Sequence, residues 1–255
     1  MESNSALIIE RDGDIVTMTM NRPPANALNN ALVGRLLDAI RALSAEASPP
    51  GIVLTGRGDR FFSAGGDIKE VAGIEISRPR MRTFHALLCG MERYPAPFVC
   101  AVRGYAVGGA LEFLLFADYV VANRECMVGF PEINHGLLPA AKGMRQAARK
   151  LGLREAQALL YRGELVGAKK ALEIGAINEI AATTHVTSRA VEVCGALRAK
   201  EPKLFAAIKR SLNLTGQMDD ASLEAMTIDD LGAYLSEDSS ADARARFLSK
   251  SSTKV

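Results

Sequence analysis

The amino-acid sequence predicts an α/β protein in which a sheet core is followed by a helical C-terminal region. Two observations predict this architecture. Strand–loop–helix units recur from residue 52 onward, and helical periodicity dominates from about residue 140 to the end. A chain of 255 residues is long enough to bury one substantial core and a smaller second one. We therefore expect a core in residues 1–195 and a helical region in residues 196–255.

The first elements are predicted to be a β-hairpin and a helix. Residues 6–10 and 15–20 are β-rich runs, and Asp12-Gly13-Asp14 between them is typical of a tight turn. Either Asn29 or Asn30 can cap the helix that follows. Its buried face is predicted from apolar residues at helical spacing, which are Leu32, Leu36, Ala39, Ile40 and Leu43.

Two strand–loop–helix units come next. In the first, the strand Ile52–Thr55 leads into the loop of residues 56–67 and then into a helix. The apolar stripe of that helix consists of Met81, Phe84, Leu87, Leu88 and Met91. In the second unit, the strand Phe98–Val102 leads into the loop of residues 104–109 and a helix starting near Ala110. This order indicates a layered core whose functional sites lie on the loops.

Composition and charge exclude several classes of protein. The formal net charge is only +2, and the basic residues are spread among acidic ones, so no nucleic-acid partner is expected. The longest apolar run, Phe98–Phe116, is interrupted by Arg103 and Glu112 and is too polar to cross a bilayer. The N-terminal residues lack the pattern of a signal peptide. We expect a cytoplasmic protein without a membrane partner.

Cysteine and histidine spacing predicts no metal site. The four cysteines lie far apart and form no Cys-x-x-Cys pair, and the three histidines form no cluster with ligand spacing. Free, buried thiols in a reducing compartment are the expected state of the cysteines.

Two glycine-rich loops are candidates for ligand binding. Residues 61–68 and residues 104–110 each follow a predicted strand and precede a helix, and their small side chains leave backbone N–H groups accessible. Gly109 would lie at the N-terminal end of the helix that carries Glu112, where the helix dipole favours negative charge. Neither loop has a dinucleotide- or phosphate-binding pattern. One such loop can be only a tight turn, but two favour an oxyanion hole with two N–H donors.

Two acidic residues stand among apolar neighbours. Glu112 lies between Leu111 and Phe113, and Glu132 follows Phe130 and Pro131. A carboxylate in such a setting lies either at a surface edge or in a buried functional site. The residues alone leave both interpretations open for Glu112 and favour a turn or helix-start carboxylate for Glu132.

Four motifs, taken in order, resemble those of the crotonase (enoyl-CoA hydratase/isomerase) superfamily. They are Asn21–Asn29, Phe62–Glu70, Gly104–Glu112 and Phe130–Glu132. Residues Gly163–Ala176 resemble a further stretch of the same family, so the resemblance covers essentially the whole chain. It implies a spiral of repeated ββα units with a C-terminal helical region for oligomerisation, giving a homotrimer or a homohexamer.

The resemblance also implies a ligand and the residues that bind it. The ligand is a coenzyme A thioester, which enters as part of an acyl-CoA substrate, with no permanently bound cofactor. The backbone N–H groups of Ala64 and Gly109 are implied to form the oxyanion hole. The implied coenzyme A and substrate contacts are Ala25, Ala27, Ala64, Gly65, Gly66, Asp67, Ile68 and Gly108.

The implied reaction is hydration of 2-enoyl-CoA thioesters to 3-hydroxyacyl-CoA. By resemblance, Glu112 activates the water and Glu132 delivers the proton. Both acids are present, which favours a hydratase over the family's isomerases, since these commonly keep one carboxylate. The alternatives are isomerisation, decarboxylation or hydrolysis of acyl-CoA, and a non-catalytic acyl-CoA- or RNA-binding member. The two acids among apolar residues argue against a protein that binds acyl-CoA without catalysis, and the near-neutral net charge argues against an RNA-binding protein.

The segment after Glu132 departs from the family pattern. Asn134 and His135 replace apolar residues, and Lys142 and Met144 are bulky where the family has small ones. These substitutions are expected to reshape the acyl pocket. We expect the His135 side chain to be hydrogen-bonded behind the catalytic groups rather than to act as a third catalytic group.

Overall fold

A computed structural model describes residues 5–70, 73–139, 142–214 and 216–236, together with residues 240, 241 and 245. The strands are β1 (Leu7–Asp12), β2 (Ile15–Met20), β3 (Gly51–Gly56), β4 (Phe61–Ser63), β5 (Phe98–Val102), β6 (Tyr105–Val107), β7 (Tyr119–Asn123), β8 (Met127–Gly129), β9 (Leu165–Gly167) and β10 (Glu179–Ala181). The helices are α1 (Asn30–Ser44), α2 (Ile74–Arg93), α3 (Gly109–Phe116), α4 (Gly143–Leu151), α5 (Leu153–Arg162), α6 (Ala168–Glu173), α7 (Val186–Arg198), α8 (Pro202–Leu214) and α9 (Asp220–Leu235). Short 3-10 helices span Ile68–Glu70, Pro131–His135 and Thr183–His185.

The strands form two sheets that the chain visits alternately. The larger sheet has the order β1-β2-β3-β5-β7-β10, and the smaller has the order β4-β6-β8-β9. Three successive ββα units, β3-β4-α2, β5-β6-α3 and β7-β8-α4, each place their first strand in the larger sheet and their second in the smaller. This arrangement confirms the predicted repeat of ββα units.

The N-terminal elements and the central strands agree with the prediction. Strands β1 and β2 are an antiparallel hairpin in which Asp12 pairs with Ile15. The side chain of Asn29 caps α1 by accepting a hydrogen bond from the Leu32 N–H at 2.9 Å. Every residue of β3 and β5 is buried, as expected for parallel strands that are covered on both faces.

Side-chain alternation along β5 explains the layers around the larger sheet. Phe98, Cys100 and Val102 point into the main apolar core, while Val99 and Ala101 point into a second cluster formed with α7. Successive side chains of a strand point to opposite faces, so one apolar run serves both clusters.

Apolar periodicity did not reveal the second strand of each unit, which only the family resemblance implied. Strands β4, β6 and β8 have three residues each, which is too short for an apolar alternation to show in the sequence. Strands β9 and β10 also lie in the region predicted to be mainly helical. Pairing with neighbours that are distant in sequence defines these short strands.

The chain divides into two compact units, residues 1–199 and residues 200–255. The predicted boundary lies near this division. In the second unit, an ion pair between Arg210 and Asp230 joins α8 to α9, and Asp219 caps α9 by accepting from the Ser222 N–H. A role of this unit in oligomerisation stays a prediction. Of the helices in the described ranges, none is long and apolar enough to cross a membrane.

Candidate active site

The smaller sheet brings the two glycine-rich loops and Glu132 to one edge. Strands β4, β6 and β8 pair in parallel, so the residues that follow each strand lie at the same end of the sheet. Ala64 follows β4, Gly108 follows β6, and Phe130 follows β8, two residues before Glu132. Loops at the carboxyl ends of parallel strands are the usual place for ligands in open α/β sheets.

The two loops touch at Gly65. This residue has φ +81°, and a Cβ added to it would lie 2.5 Å from the Val107 carbonyl oxygen and 3.4 Å from the Gly109 nitrogen. Only glycine combines this conformation with so close an approach of two backbones. The first loop is therefore fixed directly against the N-terminus of α3.

The orientation of the Gly65–Gly66 peptide aims one N–H away from the core. The Gly65 carbonyl accepts a hydrogen bond from the Leu28 N–H at 2.8 Å. In a trans peptide the carbonyl and the next N–H point in opposite directions, so the Gly66 N–H points away from Leu28. Within the described ranges it donates to no other residue. The Gly66 N–H is thus available to a ligand.

The prediction that the Ala64 N–H binds the ligand is wrong. This N–H donates to the Ala25 carbonyl at 2.9 Å, so it is already committed. The neighbouring Gly65 N–H donates to the Ser63 hydroxyl at 3.1 Å. Of the three successive N–H groups of this loop, only that of Gly66 remains for a ligand.

Gly109 offers a second N–H at the start of α3. The Glu112 N–H donates to the Gly108 carbonyl at 3.2 Å, which closes the first turn of the helix. The Gly109 N–H points out of this N-terminus, and no other described residue accepts a hydrogen bond from it. The helix dipole adds partial positive charge there.

A cavity of about 330 Å³ lies between the two loops, α2 and the 3-10 helix of Pro131–His135. Its volume falls in the range of small-molecule sites, which span roughly 300–1,000 Å³. The polar side chains that line it are those of Ser77, Arg80, Glu132 and His135. The remaining lining is formed by glycines and apolar residues, as in many ligand pockets.

The structure brings only some of the predicted contact residues to this cavity. Those that line it are Ala64, Gly65, Gly66, Ile68, Gly108 and Gly109. Ala25, Ala27 and Asp67 are not among the lining residues. Their coenzyme A contacts stay predictions.

Asp67 has a structural ion pair. Its carboxylate accepts from the Arg22 guanidinium at 2.6 Å and from the Lys69 N–H at 3.0 Å. Burial by itself would raise the pKa of Asp67, but the Lys69 N–H and Arg22 outweigh it and hold that pKa below its ordinary value. This carboxylate therefore stays charged and fixes the loop that follows Gly66.

Glu132 is the acid that reaches the cavity. A Cβ added at Gly108 would lie 2.6 Å from its Oε1, so the carboxyl group lies directly against the second loop. Its Oε2 is buried and has no hydrogen-bond partner among the described residues. Burial raises the pKa of Glu132, an effect that its own backbone N–H partly offsets. The protonated form is thus favoured more than in an exposed glutamate.

The raised pKa makes Glu132 a source of pH-dependent instability. Above the ordinary value of about 4.3, the folded state binds more protons at this site than the unfolded state, so stability falls as pH rises through the folded pKa. Glu132→Gln removes that titration. We expect the free energy of unfolding of Glu132→Gln minus that of the parent to be larger at pH 8 than at pH 5. Urea unfolding at both pH values measures this, with the exposed Glu10→Gln as the control. An equal difference at both pH values would contradict it.

Glu112 is placed differently from Glu132. It is fully buried, and a Cβ added at Gly143 would lie 2.5 Å from its Cδ, so the start of α4 covers it. It is not among the residues that line the cavity. The two acids therefore lie in one region, since Glu132 touches Gly108 and Glu112 is one helical turn further on, but only Glu132 faces the cavity.

His135 lies in the cavity wall rather than behind the catalytic groups. In a 3-10 helix, side chains three residues apart project from the same face, so His135 follows Glu132 toward the cavity. No described residue hydrogen-bonds its side chain. The prediction that His135 is hydrogen-bonded behind the catalytic groups is therefore wrong. The preceding Asn134 holds the helix by donating to the Gly163 carbonyl at 2.9 Å.

The contacts of Lys142 were not predicted. Lys142 forms an ion pair with Glu92 at the end of α2 and lies over the Phe116 ring at 5.1 Å from its centroid. Its side chain is thus directed at α2 and α3, and it is not among the cavity-lining residues.

The position of Arg80 was not predicted either. Arg80 lines the cavity four residues before Phe84, on the same helical face. Its spacing from the apolar stripe was the signal that could have revealed it.

The described residues offer no metal-ligand set. No group of three or more His, Cys, Asp or Glu side chains in these ranges is placed to bind a metal ion. The four cysteines are free, and all but Cys89 are buried.

Comparisons with known proteins show which proteins the chain is similar to. The family model described as enoyl-CoA hydratase/isomerase matches residues 10–254. The 2,3-dehydroadipyl-CoA hydratase of Escherichia coli is 31% identical over 222 residues, covering 87% of this chain and 86% of the relative. The short-chain-enoyl-CoA hydratase of Clostridium acetobutylicum is 28% identical over 255 residues, covering 98% and 97%. The crystal structure of an enoyl-CoA hydratase from Mycobacterium smegmatis superimposes with a TM-score of 0.90 at 26% identity, covering 96% and 97%.

Proposed function

Because the chain belongs to the enoyl-CoA hydratase/isomerase family, we propose that it adds water to the double bond of 2-enoyl-CoA thioesters and forms 3-hydroxyacyl-CoA. The observation that carries this proposal is one cavity bordered by the Gly66 and Gly109 N–H groups and by the Glu132 carboxyl group. The relatives named as hydratases support the reaction class.

The two N–H groups are proposed to bind the thioester oxygen. When a nucleophile bonds to the β-carbon, the electron pair of the double bond moves toward the carbonyl, and negative charge develops on that oxygen. Donors aimed at this oxygen stabilise the enolate more than the neutral thioester. Loss of one such donor typically lowers the rate by about 10²–10³-fold. Gly66 replaces Ala64 in this role because the Ala64 N–H is committed to Ala25.

Glu132 is proposed to deliver the proton to the α-carbon. Its raised pKa favours the protonated form, and its position against Gly108 brings it next to the second N–H donor. The reaction then balances: the water oxygen bonds to the β-carbon, its proton passes to a base, and Glu132 supplies a proton to the α-carbon. Glu112 is the proposed base for the water.

Isomerisation of the double bond is the second candidate. Moving a double bond needs one carboxyl group that removes a proton from one carbon and returns it to another. Glu132 lines the cavity and Glu112 does not, which favours this reaction. The two candidates differ in whether Glu112 is needed.

A pair of absorbance assays separates the candidates. Hydration of crotonyl-CoA removes the conjugated enoyl absorbance, whereas isomerisation of 3-butenoyl-CoA creates it. We expect the parent to hydrate crotonyl-CoA and Glu112→Gln to lose most of that rate. A parent that only isomerises, with Glu112→Gln as active as the parent, would replace the hydratase proposal with the isomerase one.

Assembly and location are further parts of the proposal. The resemblance to the family supports a homotrimer or a homohexamer that acts on acyl-CoA. The bacterial relatives support a cytoplasmic location. The net charge of +2 argues against a nucleic-acid partner, and the polar interruptions of the longest apolar run argue against a membrane partner. Light scattering on the purified protein measures the number of subunits. A monomeric protein with full activity would exclude the assembly.

A further inference from the structure

Arg80 is a charged cavity residue that the proposed mechanism does not use. Its side chain is half-buried in α2. One terminal nitrogen donates to the Asp67 carbonyl at 3.1 Å, and the other donates to the Leu28 carbonyl at 3.1 Å. A single guanidinium thus bridges two backbone segments that are far apart in sequence.

Both carbonyls belong to the backbone that holds Gly66. The Leu28 N–H donates to the Gly65 carbonyl at 2.8 Å, and the Leu28 carbonyl accepts from the Asp67 N–H at 3.0 Å. These two hydrogen bonds flank Gly66 on either side and form a one-residue bridge between Leu28 and Gly66. Arg80 adds a third contact, to the Leu28 carbonyl of this bridge, and a fourth, to the carbonyl of Asp67, which directly follows Gly66.

The guanidinium also lies against Gly66 itself. A Cβ added at Gly66 would be 3.0 Å from the Arg80 Nη2 atom. Among the described residues, no acidic side chain forms an ion pair with Arg80. Within the described ranges, two carbonyl dipoles and no ion pair stabilise its positive charge, which lies beside the N–H group proposed to face the thioester oxygen.

We propose that Arg80 is a positioning residue of the oxyanion hole: its planar fork fixes the Gly66 N–H toward the thioester oxygen, and its charge favours the enolate. This inference rests on the proposed use of Gly66 as a donor. A lysine cannot reproduce the fork, because an ammonium group is a point donor on a flexible chain.

Three variants test the kinetic consequence. Arg80→Met removes the fork and the charge, and Arg80→Lys keeps the charge without the fork. Arg82→Met removes an exposed arginine from the same helix and is the matched control. We expect kcat for crotonyl-CoA hydration to fall about 10–100-fold in both Arg80 variants, less than for the loss of a whole donor, with KM changed far less. We expect Arg82→Met to match the parent.

A spectroscopic readout tests the same inference without turnover. Butyryl-CoA labelled with ¹³C at the thioester carbonyl is saturated and cannot be hydrated, but its carbonyl stretch falls in frequency when donors polarise it. We expect the parent and Arg82→Met to lower this frequency on binding, and both Arg80 variants to lose most of the shift. A general loss of folding is excluded by thermal unfolding of each variant.

The two measurements distinguish failure of this inference from failure of the proposed function. An Arg80→Met variant that is folded and keeps both the parent's kcat and its carbonyl shift would overturn the positioning role. An Arg80→Lys variant that keeps both would overturn the role of the fork. If the parent does not hydrate crotonyl-CoA but still polarises the labelled carbonyl, the hydratase proposal fails while the Arg80 comparison still decides this inference.

Discussion

Glu132→Gln is expected to lower kcat for crotonyl-CoA hydration by about 10²–10⁴-fold, the usual contribution of a positioned acid or base. Glutamine has nearly the same shape but cannot release a proton to carbon. Glu132 is the one acid whose side chain lines the described cavity, where its carboxyl group lies against Gly108. Among the described residues, no other carboxyl group lines the cavity to replace Glu132 as proton donor to the α-carbon.

The measurement is a steady-state comparison of parent, Glu132→Gln and the exposed control Glu10→Gln. We expect KM to change little in Glu132→Gln, because the two backbone donors and the cavity wall remain. Since burial raises the pKa of Glu132, we also expect the parent's kcat to fall as pH rises above that pKa. Parent-level turnover by Glu132→Gln would remove this residue from the mechanism.

Gly65→Ala is expected to disrupt both the stability of the protein and its catalysis. The left-handed conformation at φ +81° costs an alanine roughly 1–2 kcal/mol. In addition, its Cβ would lie 2.5 Å from the Val107 carbonyl oxygen, which is backbone and cannot rotate away. The two loops must then separate, and with them the Gly66 and Gly109 N–H groups. A displacement of about 1 Å in such a site can lower the rate about 10²-fold.

Gly58→Ala provides the matched control for this substitution. Gly58 has φ +85°, and a Cβ added there would meet no atom within 4 Å. It therefore carries the conformational cost without the collision. We expect both variants to unfold at lower urea concentration than the parent, but only Gly65→Ala to lose kcat. Equal kcat losses in the two variants would show that separation of the loops is not the cause.

Local sequence signals were sufficient for several elements. The Asp12-Gly13-Asp14 turn, the Asn29 cap and the apolar runs of β3 and β5 each depend on residues that are close together in the chain. The order of the glycine-rich loops and the acids likewise identified the family. These features can be predicted from the sequence because turn formation, helix capping and apolar periodicity depend on residues that are only a few positions apart.

Such local signals could not show which N–H group of the first loop faces the ligand. Ala64, Gly65 and Gly66 are three small residues in a row, and nothing in their sequence ranks them as donors. Hydrogen bonds to Ala25 and Leu28, which are distant in sequence, set the direction of each peptide. The placement of His135 was missed for a related reason, because a 3-10 helix turns it toward the cavity beside Glu132.

By itself, the sequence determined the strand–loop–helix order of the core, the presence of two glycine-rich loops and the presence of two acids in apolar surroundings. Only the tertiary structure decided which groups face one cavity. It brought Glu132 there and left Glu112 behind Gly143, and it added Arg80 from a helix that the sequence showed only as an apolar stripe. The reason is that burial, peptide direction and the contact of two backbones depend on strand pairing between segments far apart in the chain, which residue order does not encode locally.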